Sequence, residues 1–271
     1  ASAAAEFGMR AVLGITALEF PTGYASDADD YLNKGLAVRE AWLDRPLTHF
    51  CLAPHAPYTV SDNSFRRILT LSEQLNLPIH CHLHETRQEL DDSRQQHGVT
   101  PIWRLHQIGL LVPGFIGVHG VHFSDDELAL LADTGASIAH CPTSNMKLAS
   151  GFAPVARMRQ LGINVGLGTD GAASNNRLDL FSEMKLAALL AKGSTGDAAA
   201  LPAHDVLRMA TLGGAQALGL ADEIGSLTPG KSADICAVHL GALESRPCYD
   251  PVSHLVHVCG RESVSHVWIA G

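Results

Sequence analysis

The chain has 271 residues, 46% of them hydrophobic and 17% charged, enough for one large domain or two small ones with a proper core. Its formal net charge of −9, with Lys and Arg scattered rather than clustered, offers no basic stripe for phosphates and disfavours nucleic acid as a partner. No apolar run reaches the length of a membrane span, the opening ASAAAEFGMR lacks the layout of a signal peptide, and six cysteines without a CxxC pair fit a reducing cytoplasm.

After Ala-rich helical residues, RAVLGI (10–15) is the first short apolar run that reads as a buried strand. THFCLA (48–53), LPIHCH (77–82), FIGVHG (115–120), ASIAHC (136–141) and INVGLG (163–168) follow. Amphipathic helical patterns lie between them: DADDYLNKGLAVREAWL, SDNSFRRILTLSEQLN, SDDELALLADTG with a capping box from Ser124 to Glu127, and PVARMRQLG. Such alternation implies parallel strands joined by crossover helices, hence a doubly wound sheet or a (β/α) barrel. Two further helices are expected over 178–192 and 203–218. Beyond them SLTPGKSADICAVHL and SVSHVWIAG read as short strands of a separate β structure.

The polar residues decide between sheet and barrel. Nearly every strand ends in chemistry: APHAPYT, HLHE, HGVH, HCPTSN and GTDGAASNN. A doubly wound sheet gathers its ligands at one switch point, usually with a Gly-rich loop, whereas a barrel draws one site from many strand ends. No GxGxxG follows a strand, so the barrel is favoured. The expected fold class is α/β, a (β/α)8 TIM-type barrel with about six of eight strands present, plus part of a small β-sandwich. Residues 1–220 are assigned to the barrel and 221–271 to the sandwich.

Within PIHCHLHETRQE an extended chain puts His80, His82 and His84 on one face and Ile79, Cys81 and Leu83 on the other. For Glu85 to work beside His82, the strand must end near His82 and turn. The bland account of HxxE is a barrel-lining histidine plus a surface glutamate. His119 sits where its strand runs out, while His122 reads as loop scaffold. Asp170 closes an apolar strand, and burying a carboxylate there is costly unless a cation or several donors meet it. Its bland alternative, an N-cap for the helix from 178, fits poorly because that helix starts several residues later. His55 lies between two prolines that stiffen its loop, and scaffold and functional roles are equally open for it. Together HxxE, HG and TD at successive strand ends suit a divalent metal, which takes imidazole and carboxylate ligands and needs a proton carrier nearby. In that logic His82 and Asp170 are ligands, Glu85 the carrier, and His119 the group that orients the nucleophile.

These residues resemble the amidohydrolase superfamily, and within it the branch of 5-methylthioadenosine/S-adenosylhomocysteine deaminases with their guanine deaminase and triazine hydrolase relatives. The resemblance runs through GMRAVLG, LAPHAPYTVS, PIHCHLHET, HGVH, HCPTSNMKL, GLGTDGAASNN and IGSLTPGKSADI. It implies metal ligation by His82 and Asp170, acid–base work by Glu85, a non-ligand role beside the metal for His119, and substrate contact by His55 and Glu85. The implied cofactor is one divalent metal, Zn2+ before Fe2+ or Mn2+. The implied reaction is hydrolytic deamination of an adenine nucleoside, 5-methylthioadenosine, adenosine or S-adenosylhomocysteine, to an inosine-type product and ammonia.

Two departures from the pattern stand out. The branch opens its barrel with an HxH pair that supplies two further ligands, and no segment before Arg10 matches that strand, so the chain is expected to be a fragment lacking two barrel strands. The acidic stretch PTGYASDADDYLNKG replaces an arginine that would meet the carboxylate of S-adenosylhomocysteine, which favours methylthioadenosine or adenosine. The alternatives are a guanine deaminase or triazine amino- or chlorohydrolase built on the same site, and an inactive fragment or binding module. Cytidine-type zinc deaminases are excluded, because only Cys141-Pro142 of their PCxxC is present. The partner expected is a small-molecule nucleoside, with neither nucleic acid nor membrane, and a homo-oligomer is compatible.

Overall fold

The computed structural model describes residues 1–271. Six parallel strands form the main sheet: β1 Ala11–Ala17, β2 Thr48–Pro54, β3 Ile79–Leu83, β4 Phe115–His119, β5 Ser137–His140 and β6 Val165–Leu167. They lie side by side in chain order, each hydrogen-bonded to its sequence neighbours, with β1 and β6 at the two ends. That order never reverses, so there is no switch point; unidirectional winding puts every crossover helix on one face and leaves the other as a barrel interior. The six strands coincide with the six apolar runs, with ends shifted by one or two residues.

The helices are α1 Ser2–Glu6, α2 Ala28–Ala41, α3 Asp62–Leu75, α4 Arg87–His97, α5 Pro101–Ile108, α6 Asp125–Thr134, α7 Pro142–Lys147, α8 Val155–Gln160, α9 Leu180–Thr195, α10 Ala203–Arg208, α11 Gly214–Ala217 and α12 Pro251–His257. Their starts follow local chemistry. Asp27, Ser61, Thr86 and Ser124 cap α2, α3, α4 and α6 by accepting a backbone N–H from the first turn. The Ser124–Glu127 capping box is present with both of its bonds. The stretch 203–218 is continuous but passes through a π-helical turn, Met209–Gly213, between α10 and α11. This turn lies directly on β6: a Cβ added to Gly213, its last residue, would stand 2.5 Å from the Val165 carbonyl oxygen, so glycine permits the contact. Helices α4, α5, α7 and α12 have no counterpart in the sequence reading. They are short or strongly polar, and amphipathic periodicity is weak in such segments.

Strand alternation divides the sheet's faces. Ile79, Cys81 and Leu83 of β3 are fully buried in one 32-residue apolar cluster with Phe65 and Ile68 of α3 and Ile102 and Leu105 of α5. His80 and His82 occupy the opposite, partly open face. At 25 cal/mol per Å2, each large side chain buried in that cluster stabilises the fold by roughly 1.5–3 kcal/mol.

A second, antiparallel pair, β7 Ile235–Val238 and β8 Val264–Trp268, stands apart from the main sheet. Arg10 ties the two together: its guanidinium donates from Nε to Asp234 at 2.7 Å and from a second nitrogen at 3.1 Å, and Asp234 also accepts the Ala270 N–H. Helix α12, although it lies between β7 and β8 in the chain, inserts Val256 into the main apolar cluster.

Candidate functional site

The C-terminal ends of β2, β3 and β4 bring His55, His82, Glu85 and His119 together. Register sets their levels, with His82 beside Val118 and Leu83 beside His119. The His82 ring stacks on His119 at 5.3 Å between centroids and meets His55 edge-on at 4.9 Å. Glu85 Oε2 lies 3.8 Å from His119 Nε2. A cavity of about 730 Å3 lies at the other end of the strands among Val12, Thr48, His49, Pro78 and Gly114. It is remote from these polar groups, and barrels of this type do their chemistry at the C-terminal face.

The ends of β3, β4 and β6 turn through left-handed backbone at non-glycine residues: His84 (φ 55°), His119 (φ 76°) and Asp170 (φ 58°). Such conformations cost free energy and gather where a site dictates placement. The turn at His84 explains how His82 and Glu85 come to face the same space. It also corrects the expected grouping of three histidines on one face, because alternation stops at Leu83. His84 is fully buried and stacks on Phe123 at 4.6 Å. Its Nδ1 donates to the His122 carbonyl at 2.7 Å and its Nε2 accepts from the Ile102 N–H at 3.1 Å, so neither nitrogen is free. Burial lowers its pKa to about 4 and keeps it neutral. His122 donates to the Ser150 carbonyl at 2.8 Å, as scaffold does.

Tautomers follow from the partners. His82 Nδ1 can only donate to the His55 carbonyl, 2.6 Å away, which leaves Nε2 with a free lone pair. His55 Nδ1 lies 2.9 Å from Thr59 Oγ1, whose hydroxyl proton is already given to the Ala56 carbonyl, so Nδ1 donates and Nε2 is again unprotonated. Burial, and then the nearby His82, lower the His55 pKa. His119 is buried, and its Nδ1 pairs with Asn145 Oδ1 at 2.9 Å. Burial lowers its pKa against the opposing pull of Glu85 and the Asn145 bond.

Asp170, three residues past β6, is not a helix cap; Asp179 fills that role for α9. Its Oδ2 accepts from Ser144 Oγ at 2.6 Å and Ser174 Oγ at 2.7 Å, and Oδ1 from the Gly171 N–H at 2.7 Å. Partial burial pushes its pKa up, but these three donors outweigh it and hold the carboxyl below its ordinary value.

The segment HCPTSNMKLAS contributes more than its sequence disclosed. Ser144 holds Asp170, Asn145 holds His119, and Ser150 donates to Glu85 Oε1 at 3.3 Å. Fully buried Glu183 of α9 locks this segment to the Asp170 loop, accepting the Thr143 N–H at 3.0 Å and Asn175 Nδ2 at 2.7 Å. Buried Glu89 supports the turn itself by accepting the N–H groups of His84 and Glu85. The only available signal was a dense run of small polar residues directly after a strand. No group of three or more His, Cys, Asp or Glu side chains converges closely enough within this chain to hold a metal ion by itself.

An all-parallel sheet wound in one direction, with histidines and an ionised aspartate at its C-terminal strand ends, defines an α/β-barrel site at the C-terminal face. The amidohydrolase family model matches residues 1–271, and the chain belongs to that family. It is 47% identical over 271 residues to the 5-methylthioadenosine/S-adenosylhomocysteine deaminase of Teredinibacter turnerae, covering all of this chain and 61% of that protein. A crystal structure of an adenosine deaminase from Xanthomonas campestris with bound zinc superposes with a TM-score of 0.98 at 46% identity, over all of this chain and 62% of that one. The guanine deaminase of E. coli gives a TM-score of 0.89 at 26% identity, over all of this chain and 66% of that one. The chain therefore spans about 61% of the length of the curated relative it matches.

Proposed function

We propose that the protein of which this chain is part hydrolytically deaminates an adenine nucleoside, methylthioadenosine or adenosine, releasing ammonia and an inosine-type product. The observation that carries the reading is the facing pair Glu85 and His119, 3.8 Å apart, with the ionised Asp170 held by three donors on the same rim. A general acid–base group must lie within reach of the proton it moves, and a carboxylate on an open strand end beside neutral imidazoles satisfies that. Glu85 takes one proton from the attacking water and gives it to the ring nitrogen beside the reacting carbon, then takes the remaining proton of the added hydroxyl and gives it to the departing amine. His119 directs its Nε2 lone pair toward the attacking water. His55, with its own Nε2 unprotonated, accepts a hydrogen bond from the substrate.

A divalent metal fits this donor chemistry. His82 offers an unprotonated Nε2 and Asp170 an ionised carboxylate, and both would be ligands. When bound, such an ion lowers the pKa of water toward neutrality. Zinc sites take at least three protein ligands, so further donors are assigned to the part of the relatives' length that this chain does not span. Zinc is the metal we favour, with Fe2+ or Mn2+ as alternatives. The division at residue 220 is retained for the two sheets, with α12 counted as part of the barrel because Val256 joins its core.

The test is ammonia release by the full-length protein from methylthioadenosine, adenosine, S-adenosylhomocysteine and guanine, with chloride release from a chlorotriazine beside it, repeated with Glu85→Gln. Turnover of the adenine nucleosides, reduced about 100- to 10,000-fold in the variant, is expected. Turnover of guanine or the triazine alone would move the assignment to those branches of the family, and an undiminished Gln variant would remove Glu85 from the chemistry.

A further inference from the structure

His140, the last residue of β5, belongs to no part of the site described above. It is 3% exposed and its Nδ1 meets no protein donor or acceptor. Asn145 is fully buried; its Oδ1 faces His119, while its Nδ2 likewise meets no protein partner. A buried polar atom without a partner costs about 1–3 kcal/mol, and two such atoms five residues apart call for a shared explanation. Both residues line one small cavity of about 10 Å3, whose remaining wall includes Met146, Val155, Ala187 and Leu190. That volume is at the lower limit of what a single water needs, roughly 10–15 Å3.

We propose that one buried water bridges His140 Nδ1 and Asn145 Nδ2, and that His140 thereby acts as a positioning residue for His119. The amide nitrogen of Asn145 donates to the water. The water donates to, or accepts from, His140 Nδ1, since a neutral imidazole can play either role. Burial and the neighbouring His119 push the His140 pKa down to about 3, so the ring is neutral and brings no charge into the cavity. The Asn145 amide is then held on both sides, by the water on one and by His119 Nδ1 on the other. Without the first hold it can rotate, and His119 loses the fixed acceptor that keeps its Nε2 toward Glu85. The functional part of this inference rests on the proposed role of His119; the water site does not.

The test uses the full-length protein. A high-resolution crystal structure should show density for a water within about 3 Å of both atoms. His140→Leu should remove that density and lower kcat about 10- to 100-fold, the usual effect of losing an outer support, with KM changed less than about twofold. His140→Asn, whose amide places a polar atom near the position of Nδ1, should recover most of the kcat. A dry cavity in the wild type overturns the proposal whatever the variants do, and decides the matter if His140→Leu fails to fold. Wild-type kcat in His140→Leu overturns the positioning role. Wild-type protein that deaminates nothing but shows the water would sink the proposed function and leave the water site standing.

Discussion

Replacing Arg104 with methionine should destabilise the protein through the loop that carries His55. The Arg104 side chain, on α5, is 7% exposed. It donates to the carbonyls of Pro57 and Val60, the latter at 3.1 Å, and reaches Asp62 at 2.6 Å while its guanidinium lies 5.6 Å from the Phe65 ring centroid. Asp62 is 42% exposed, so solvent screens the ion pair and limits it to about 0–1 kcal/mol. The two carbonyls belong to buried residues, and stranding each costs about 1–3 kcal/mol. Methionine preserves much of the packing on Phe65 but donates nothing. The expected loss is therefore about 2–7 kcal/mol, or on the order of 10 °C in the apparent Tm of a domain this size. Thermal unfolding followed by circular dichroism should show that drop for Arg104→Met and a shift of only a few degrees for Asp62→Asn. Equal losses in the two variants would mean that the ion pair, not the carbonyls, holds the loop, and an unchanged Tm in Arg104→Met would refute the account altogether.

Other expectations concern charge and placement. Hydrogen bonding from Arg10 lowers the pKa of Asp234 below its ordinary 3.8; its stabilising effect is then complete above that value and lost as pH falls through the lower folded value. Asp234→Asn should flatten the acid limb of a Tm-against-pH curve, and an unchanged limb would count against the Arg10 link. Burial raises Glu89 to about 7 from 4.5, despite the N–H groups it accepts. Stability from its neutral form is complete below 4.5 and declines as pH rises through 7, so Glu89→Gln should gain on the wild type between those values; parallel curves would contradict this. His82→Ala in the full-length protein should lower metal content at a fixed chelator concentration by more than the roughly 10- to 100-fold that loss of a ligand's outer support costs, read by elemental analysis, and retention of the wild-type metal would take His82 out of the ligand set. Ser150→Ala should change the KM for nucleoside less than kcat, because its hydroxyl touches Glu85 alone among the candidate groups; a selective rise in KM would place Ser150 in the substrate pocket instead.

The sequence disclosed those elements whose burial is one-sided or complete. Apolar runs such as FIGVHG and ASIAHC announce strands because both faces of an inner strand exclude water, and their polar terminal residues stand out against that background. Helices α4 and α5 escaped notice because ETRQELDDSRQQHG is almost wholly polar and PIWRLHQI spans barely two turns, too short for a period to emerge. A turn after His82 was expected from the placement of Glu85, but its left-handed backbone at His84 was not. Glu89 holds the N–H groups of His84 and Glu85, while the His122 carbonyl and the Ile102 N–H that hold the His84 ring lie 38 and 18 residues away. Ser144 and Asn145 likewise find their partners 26 residues off and Ser150 finds Glu85 at a separation of 65, contacts that spacing along one element cannot encode.

The three non-glycine residues with positive φ at the strand ends carry a consequence for how this molecule responds to selection. L-residues in that region are disfavoured by roughly 1–2 kcal/mol relative to right-handed backbone, whereas glycine adopts it readily. At His84, His119 and Asp170 the backbone thus prefers a residue with no side chain, and the candidate chemistry demands imidazole or carboxylate. Glycine there would relieve that strain but strand Asn145 Oδ1 at His119 and the Ser144 and Ser174 hydroxyls at Asp170, at about 1–3 kcal/mol each. Durability and turnover therefore pull these codons in the same direction.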